Sequence, residues 1–141
     1  MATTIRDVMT ADPIVLPSTT TAMEAARAMR NANIGDVIVS DQDNGKIYGI
    51  VTDRDLVVRV IAEGKDPRST VLKNICSKEV ASLSPSQTTD EAVKMMSERA
   101  IRRLPVVEGS KVLGIVSLGD LAQRLDRRSA LGQISAAPPS S

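Results

Sequence analysis

The chain has 141 residues, a formal net charge of +1 at pH 7, one Cys, one Tyr and no His, Phe or Trp. This composition excludes Ser-His-Asp and Cys-His catalysis within the chain and argues against a transition-metal site. The balanced charge and the lack of aromatic side chains speak against nucleic-acid binding. A single Cys and no apolar run of about 20 residues predict a cytoplasmic protein that does not cross a membrane.

The first half of the sequence predicts the order strand, helix, strand, strand, helix. The apolar stretch "PIVLP" indicates a short strand, and Thr21 with Glu24 forms a capping-box pattern that begins a helix. Two further apolar runs, "DVIVS" and "KIYGIVT", flank Asn44-Gly45, a dipeptide typical of β-hairpins. A last helix is expected over "DRDLVVRVIAEG".

The second half repeats this order. An offset of 67 places Thr88 on Thr21 and Glu91 on Glu24, and the strands become "VASLSP", "RLPVV" and "KVLGIVS". The turn "EGS" is two residues shorter, so "GIVSLGDL" aligns with "GIVTDRDL" at an offset of 65, and "LGDLAQRLDRR" predicts the closing helix. The chain is therefore a tandem repeat of one unit.

The first helix of each repeat has an apolar face at helical spacing. The residues predicted to be buried are Ala22, Ala25, Ala26 and Met29 in the first repeat, and Ala92, Val93, Met96 and Ala100 in the second.

The repeat sets the domain organisation. We expect a first repeat over 5–63, a polar linker over 64–70, a second repeat over 71–126 and a flexible tail over 127–141. A unit of about sixty residues has little core of its own, so the two sheets are expected to pack around a pseudo-twofold axis, with related clefts. The predicted fold class is α/β (α+β), built from tandem β-α-β-β-α repeats.

These motifs resemble the CBS domain pair, also called a Bateman module. The resemblance covers roughly Ile5–Leu125 and is carried by "GIVTDRDL", "GIVSLGDL" and "RRLPVVEGSKVLGIVS". In that family the Asp of the pattern Gly-apolar-apolar-(Thr/Ser)-x-x-Asp holds a ribose diol, and the hydroxyl residue lies near ribose or phosphate. Members bind AMP, ADP, ATP, S-adenosylmethionine or NAD-like dinucleotides. The chain is also similar to small bacterial stand-alone CBS-pair proteins, some of which are stress-induced.

The resemblance implies one candidate ligand site in each repeat. The residues are Thr52, Arg54 and Asp55 in the first repeat, and Ser117, Gly119 and Asp120 in the second. A carboxylate can accept hydrogen bonds from two vicinal hydroxyls, as acidic residues do on ribose in dinucleotide folds. A helix start nearby offers backbone N–H groups to phosphate, and the strand glycines Gly49 and Gly114 would let a ligand approach the backbone.

The second repeat also supplies cations, Arg102 and Arg103, at the position where relatives often meet phosphate. Because neighbouring strand residues point to opposite faces, we expect Arg103 rather than Arg102 to face the ligand. A solvated edge-strand charge is the alternative for either residue. The Asp120 site is therefore the better candidate for a phosphorylated ligand.

The first repeat has no cation at that position. It carries Gly35 and Asp36 there, and Arg54 at the helix start would have to compensate. The Asp55 site is expected to take a neutral nucleoside portion or to stay empty.

Helix capping is the alternative explanation of both hydroxyl–Asp pairs, because Ser or Thr followed by an acid three residues later is also a capping-box signature. The two capping sites at the first helices use Glu, whereas both "GIV" motifs use Asp, which is one methylene shorter. This difference favours ligand binding, and the capping alternative stays open.

The sequence thus predicts a regulatory or sensor module and not an enzyme. It would bind an adenosyl ligand (AMP, ADP or ATP, S-adenosylmethionine or NAD) in clefts between the repeats and act in trans on a separate protein. No catalytic residue, metal ion or required cofactor is expected. By resemblance we expect a homodimer through the helices "DLVVRVIA" and "DLAQRL". The alternative is a structural or protein-interaction dimer with vestigial clefts.

Overall fold

A computed structural model describes residues 3–41, 46–77 and 81–125 of the chain. Its elements are α1 (Ile5–Val8), β1 (Thr10–Ala11), β2 (Val15–Pro17), α2 (Ala22–Ala32), β3 (Asp36–Ser40), β4 (Ile47–Thr52), α3 (Asp53–Leu56), a π-helical turn (Val57–Ile61), a 3-10 helix (Leu72–Asn74), α4 (Thr89–Arg99), β5 (Arg103–Glu108), β6 (Lys111–Ser117) and α5 (Leu118–Leu125). The predicted Asn44-Gly45 turn and the tail over 127–141 lie outside the described residues.

One compact unit, here called the Asp55 unit, spans Ile14–Val80. Its sheet has the order β2-β3-β4, with β2 parallel and β4 antiparallel to β3. Helix α2 covers one face of this sheet, where Ala25 and Met29 share a core with Val37 and Val51. The predicted order of strand, helix and hairpin is therefore confirmed in this unit.

The other compact unit, the Asp120 unit, comprises Met1–Pro13 and Ala81–Ser141. Its sheet has the order β1-β6-β5, with antiparallel pairing throughout. The strand predicted over "VASLSP" is wrong: Leu83 makes only an isolated parallel bridge to Val106. The Leu83 N–H donates to Pro105 O at 2.9 Å, and its carbonyl accepts from the Val107 N–H at 2.8 Å. Pro85 has no N–H to extend such a ladder.

Each unit is completed by a short segment that precedes the other repeat's first strand. In the Asp120 unit, Thr4 bridges to Thr88 and Ile5 is fully buried in the core. In the Asp55 unit, Val71 bridges to Thr21, and Leu72 is fully buried. Thr4 and Val71 are 67 positions apart, the same offset that relates Thr21 to Thr88. The repeat symmetry therefore extends to these closing segments.

The buried face of each first helix is narrower than the sequence predicts. Burial is confirmed for Ala22, Ala25, Met29, Ala92 and Met96. The prediction is wrong for three other residues. Ala26 is exposed, Val93 is 40% exposed, and Ala100 is exposed at the left-handed C-cap of α4. The small alanines at this contact let the helix pack close to the sheet. A narrow row of buried side chains is therefore enough to fill the space between them.

Candidate functional site

Both hydroxyl–Asp pairs form complete capping boxes. The Asp55 N–H donates to Thr52 Oγ1 at 3.1 Å, and the Thr52 N–H donates to Asp55 Oδ2 at 2.9 Å. In the other unit the Asp120 N–H donates to Ser117 Oγ at 3.0 Å, and the Ser117 N–H donates to Asp120 Oδ2 at 2.9 Å. Each acid is thus fixed in the first turn of its helix, at the end of the strand that carries the hydroxyl residue.

The sequence argument that separated Asp from Glu is wrong. Thr21 and Thr88 each accept a hydrogen bond from the backbone N–H of their Glu, at 3.2 Å in both cases. The Glu91 carboxylate does not return to its N-cap, because its Oε2 accepts from Gln87 Nε2 at 2.9 Å. The shorter Asp side chain is the one that closes the box. The choice of Asp therefore agrees with capping as well as with ligand binding.

Capping occupies only part of each carboxylate, because an ionised carboxylate has about four acceptor positions. In Asp55 the capping bond uses Oδ2, and Oδ1 lies 3.7 Å from Nε of Arg59. The Asp55 side chain is 18% exposed, so it is reachable from solvent. The Arg59 guanidinium also donates to Ile75 O at 3.0 Å, which holds it beside the helix.

Of the two arginines of the second repeat, Arg103 is the first residue of β5 and Arg102 comes just before that strand. Arg103 is the register partner of Ser117 on β6, and such cross-strand pairs share a face. The next residue, Leu104, packs in the core with Met96 of α4, so Arg103 points away from that helix. Arg103 thus shares a sheet face with Ser117.

Arg102 belongs to a different surface. It lines a groove of about 360 Å³, together with Val93, Met96, Ser97, Ala100, Ile101 and Leu118. Its carbonyl accepts from the Leu118 N–H at 2.8 Å, which ties the start of α5 to the entry of β5. Gly119 follows within α5 and is partly buried.

In the first repeat a carboxylate stands where Arg103 stands in the second. Asp36 is the register partner of Thr52. Arg54 is exposed, and its N–H donates to Asp53 Oδ1 at 2.8 Å. The structure thus brings Asp36 beside the hydroxyl–Asp pair, although the sequence analysis did not include Asp36 among the site residues. Its place opposite Thr52 in the predicted hairpin was the available signal.

The strand glycines serve the closing segments and not a ligand. A Cβ on Gly114 would lie 2.6 Å from Thr10 O and 2.8 Å from Met9 Sδ. A Cβ on Gly49 would meet Ser77 O. The expectation that these glycines leave room for a ligand is therefore wrong, because that space is filled by the crossing chain.

Two further observations concern metal binding and membrane-spanning helices. Within residues 3–41, 46–77 and 81–125, no group of three or more His, Cys, Asp or Glu is placed to hold a metal ion. Over the same residues, every helix is too short or too polar to span a lipid bilayer.

The doubled fold and the doubled hydroxyl–Asp box define a tandem module, and its family is shown by comparison. The CBS domain family model matches residues 5–62 and 72–127. The chain belongs to the CBS domain family. Proteins of this kind are generally regulatory and not catalytic.

The similar proteins include small CBS-pair proteins. YlbB of Bacillus subtilis is 39% identical over 137 residues, which cover 94% of this chain and 92% of that protein. MK0525 of Methanopyrus kandleri is 40% identical over 119 residues, and the match spans 84% of this chain but only 58% of that longer protein. Hypoxic response protein 1 of Mycobacterium tuberculosis is 28% identical over 134 residues, covering 95% of this chain and 93% of that protein.

Among solved structures, the CBS domain pair of protein MJ0100 has a TM-score of 0.80 and 26% sequence identity. The alignment covers 92% of this chain and all of that chain, and that structure is a complex with 5′-methylthioadenosine and S-adenosyl-L-methionine.

Proposed function

We propose that this CBS pair is a regulatory module that binds an adenosyl ligand at its hydroxyl–Asp sites and acts in trans on a separate protein. The observation that carries the proposal is that both repeats have the same arrangement. A strand ends in a hydroxyl residue, a helix begins there, and the third residue of that helix is an Asp whose side chain closes the capping box. The capping bond uses one of the roughly four acceptor positions of an ionised carboxylate. The complex of the similar MJ0100 module with two adenosyl compounds supports this ligand class.

The Asp120 site is the one we assign to a phosphorylated ligand. Arg103 shares the sheet face of Ser117, so its guanidinium lies on the side on which a ligand at Ser117 and Asp120 would bind. A guanidinium is suited to bidentate contacts with phosphate, and the start of α5 contributes its positive dipole end. AMP, ADP and ATP are the preferred candidates there.

The experiment is a melting panel followed by calorimetry. AMP, ADP, ATP, S-adenosylmethionine and NAD are each added to the purified chain. A ligand at a hundred times its Kd stabilises the folded state by about 2.7 kcal/mol, which should raise Tm by roughly 8 °C. If none of these compounds raises Tm or gives binding heat at millimolar concentration, the ligand-binding function is wrong.

A second candidate function is a structural or interaction dimer, and a specific observation favours it. The π-helical turn exposes three aliphatic side chains, Val57 (59%), Val58 (42%) and Ile61 (62%). Both Asp side chains also close capping boxes, which is a structural role by itself. For a dimer through this face, Ile61→Lys should turn a dimeric sedimentation profile into a monomeric one without lowering Tm. A monomeric parent chain would contradict this candidate.

We place the protein in the cytoplasm, since its only cysteine, Cys76, is buried and a chain with one cysteine has no internal disulfide. The similarity to Hypoxic response protein 1 supports a role under stress.

A further inference from the structure

The two repeats carry opposite charges at one equivalent position. Asp36 and Arg103 are related by the repeat offset of 67, and each is the first residue of its strand. Each is also the register partner of the hydroxyl residue of its site, Thr52 or Ser117. The repeat therefore provides an internal comparison, in which the same backbone position presents a carboxylate in one site and a guanidinium in the other.

The side chains at this position face the candidate sites and not the helices. Val37, which follows Asp36, packs in the core with Met29 of α2, so Asp36 points to the other face of its sheet. Residues directly opposite on antiparallel strands have Cβ atoms about 5 Å apart. Asp36 is thus one cross-strand step from Thr52, whose N–H is held by Asp55.

The remaining charge differences between the sites cancel. Asp53 and Arg54, adjacent and of opposite charge, stand where the second repeat has Leu118 and Gly119. Arg59, which lies beside Asp55, has an arginine at the equivalent position of the second repeat too. Arg102 stands where the first repeat has Gly35, but it lines the groove beside α4 and not this sheet face. On the sheet face of Thr52 and Ser117, the net difference therefore comes from the exchange of Asp36 for Arg103.

We propose that this position sets the charge of the ligand that each site accepts. The proposal rests on the proposed function, and it adds the ligand class of the Asp55 site. That site, with Asp36 and Asp55 on either side of Thr52, selects an adenosyl ligand with a cationic 5′ group, such as an ammonium or a sulfonium, and rejects a 5′-phosphate. The Asp120 site has the reverse preference because Arg103 replaces the carboxylate. One unit charge at this range changes affinity by about tenfold.

The test separates the two sites and varies the charge of the ligand's 5′ substituent. Asp120→Asn leaves the Asp55 site to be measured, and Asp55→Asn leaves the Asp120 site. Each protein is titrated calorimetrically with 5′-amino-5′-deoxyadenosine (cationic), adenosine (neutral) and AMP (anionic). In the Asp120→Asn protein the cationic compound should bind about tenfold tighter than adenosine, and AMP should bind about tenfold more weakly.

Position 36 is then changed within the Asp120→Asn protein. Asp36→Asn should remove the preference for the cationic compound, and Asp36→Arg should make AMP the tightest ligand. The matched control is Glu24→Gln, which removes an exposed carboxylate from α2, on the other face of the sheet, and should leave the preference unchanged. Arg103→Asp in the Asp55→Asn protein should shift the preference of the other site from AMP to the cationic compound.

The outcomes separate this inference from the proposed function. If adenosine binds but the Asp55 site takes AMP as tightly as the cationic compound, the inference is overturned and the proposed function stands. If Asp36→Asn leaves the preference in place, the inference is likewise overturned. If none of the three compounds binds the unmodified chain but ATP, S-adenosylmethionine or NAD does, the inference is overturned and the proposed function stands. If the whole panel also fails to bind, the proposed function fails and the inference fails with it.

Discussion

At the scale of single residues, Gly114 illustrates how a motif position can be explained by packing. Its missing Cβ makes room for the backbone carbonyl of Thr10 and the sulfur of Met9. Backbone cannot move aside as a flexible side chain can. Gly114→Ala is therefore expected to lower the free energy of unfolding by about 1–3 kcal/mol.

The matched control for Gly114→Ala is Gly35→Ala. The three atoms nearest to a Cβ on Gly35 all belong to the Asp53 side chain, the closest being Oδ2 at 2.9 Å, and that side chain can turn away. Its effect in urea denaturation should stay within about 1 kcal/mol. Equal effects of the two substitutions would contradict the packing explanation.

The site residues also show what sequence could and could not predict at this scale. The alternation of a strand predicts opposite faces for Arg102 and Arg103. In the structure Arg102 comes just before β5 and lines the groove beside α4, whereas Arg103 is the register partner of Ser117. The role of Asp at the third helix position was not predictable from its length alone. Whether Asp or Glu closes a capping box depends on rotamers and on competing partners, such as Gln87 for Glu91.

At the scale of secondary structure, the C-cap of α4 carries strain that its counterpart in α2 avoids. Ala100 has φ 54° and ψ 41°, whereas α2 ends with Asn33 in the same left-handed conformation. Asn and Gly tolerate this region, and other L-residues are disfavoured there. Ala100→Gly should therefore raise the free energy of unfolding by about 0.5–1 kcal/mol.

Ala26→Gly is the matched control for Ala100→Gly, since Ala26 is an exposed residue inside α2. Here glycine should lower the free energy of unfolding by about 1 kcal/mol. Thermal melts of both variants measure the contrast. A loss of stability in both would show that the left-handed C-cap is not a source of strain.

Most of the elements could be predicted, and the failures have physical reasons. The hairpin strands β3 to β6 are continuous apolar runs, which periodicity detects well. Helix α1 and strand β1 were missed because their segment is short and its partners, such as Thr88 and Ile115, are distant in sequence. The π-helical turn was also missed; its sequence "VVRVI" is rich in β-branched residues, which disfavour a regular α-helix.

At the scale of the whole molecule, the closing segments complete the cores of the two units: one comes from the first residues of the chain, and the other from the residues just after the predicted linker. Ile5 and Leu72 are both 0% exposed, each in the core of a different unit. Ile5→Ala and Leu72→Ala should each lower the free energy of unfolding by about 2–5 kcal/mol, and Ile5→Val by about 1 kcal/mol.

Equilibrium urea denaturation measures these three variants. Ile5→Ala could instead lower the free energy of unfolding by less than about 1 kcal/mol, as surface substitutions do. That result would mean that the N-terminal segment does not close the Asp120 unit.

The central claim is that Asp120 both caps a helix and binds the diol of an adenosyl ligand, and calorimetric titration of AMP into matched variants tests it most directly. Asp120→Asn keeps an oxygen that can accept from the Ser117 N–H, but it loses the negative charge; Asp120→Ala loses both functions. The account predicts that Asp120→Asn changes Tm by no more than about 1 °C yet weakens AMP binding about tenfold or more. Asp120→Ala should lower both Tm and the affinity for AMP. If the Asn variant binds AMP as tightly as the parent chain and Ala affects only Tm, then Asp120 is a helix cap alone.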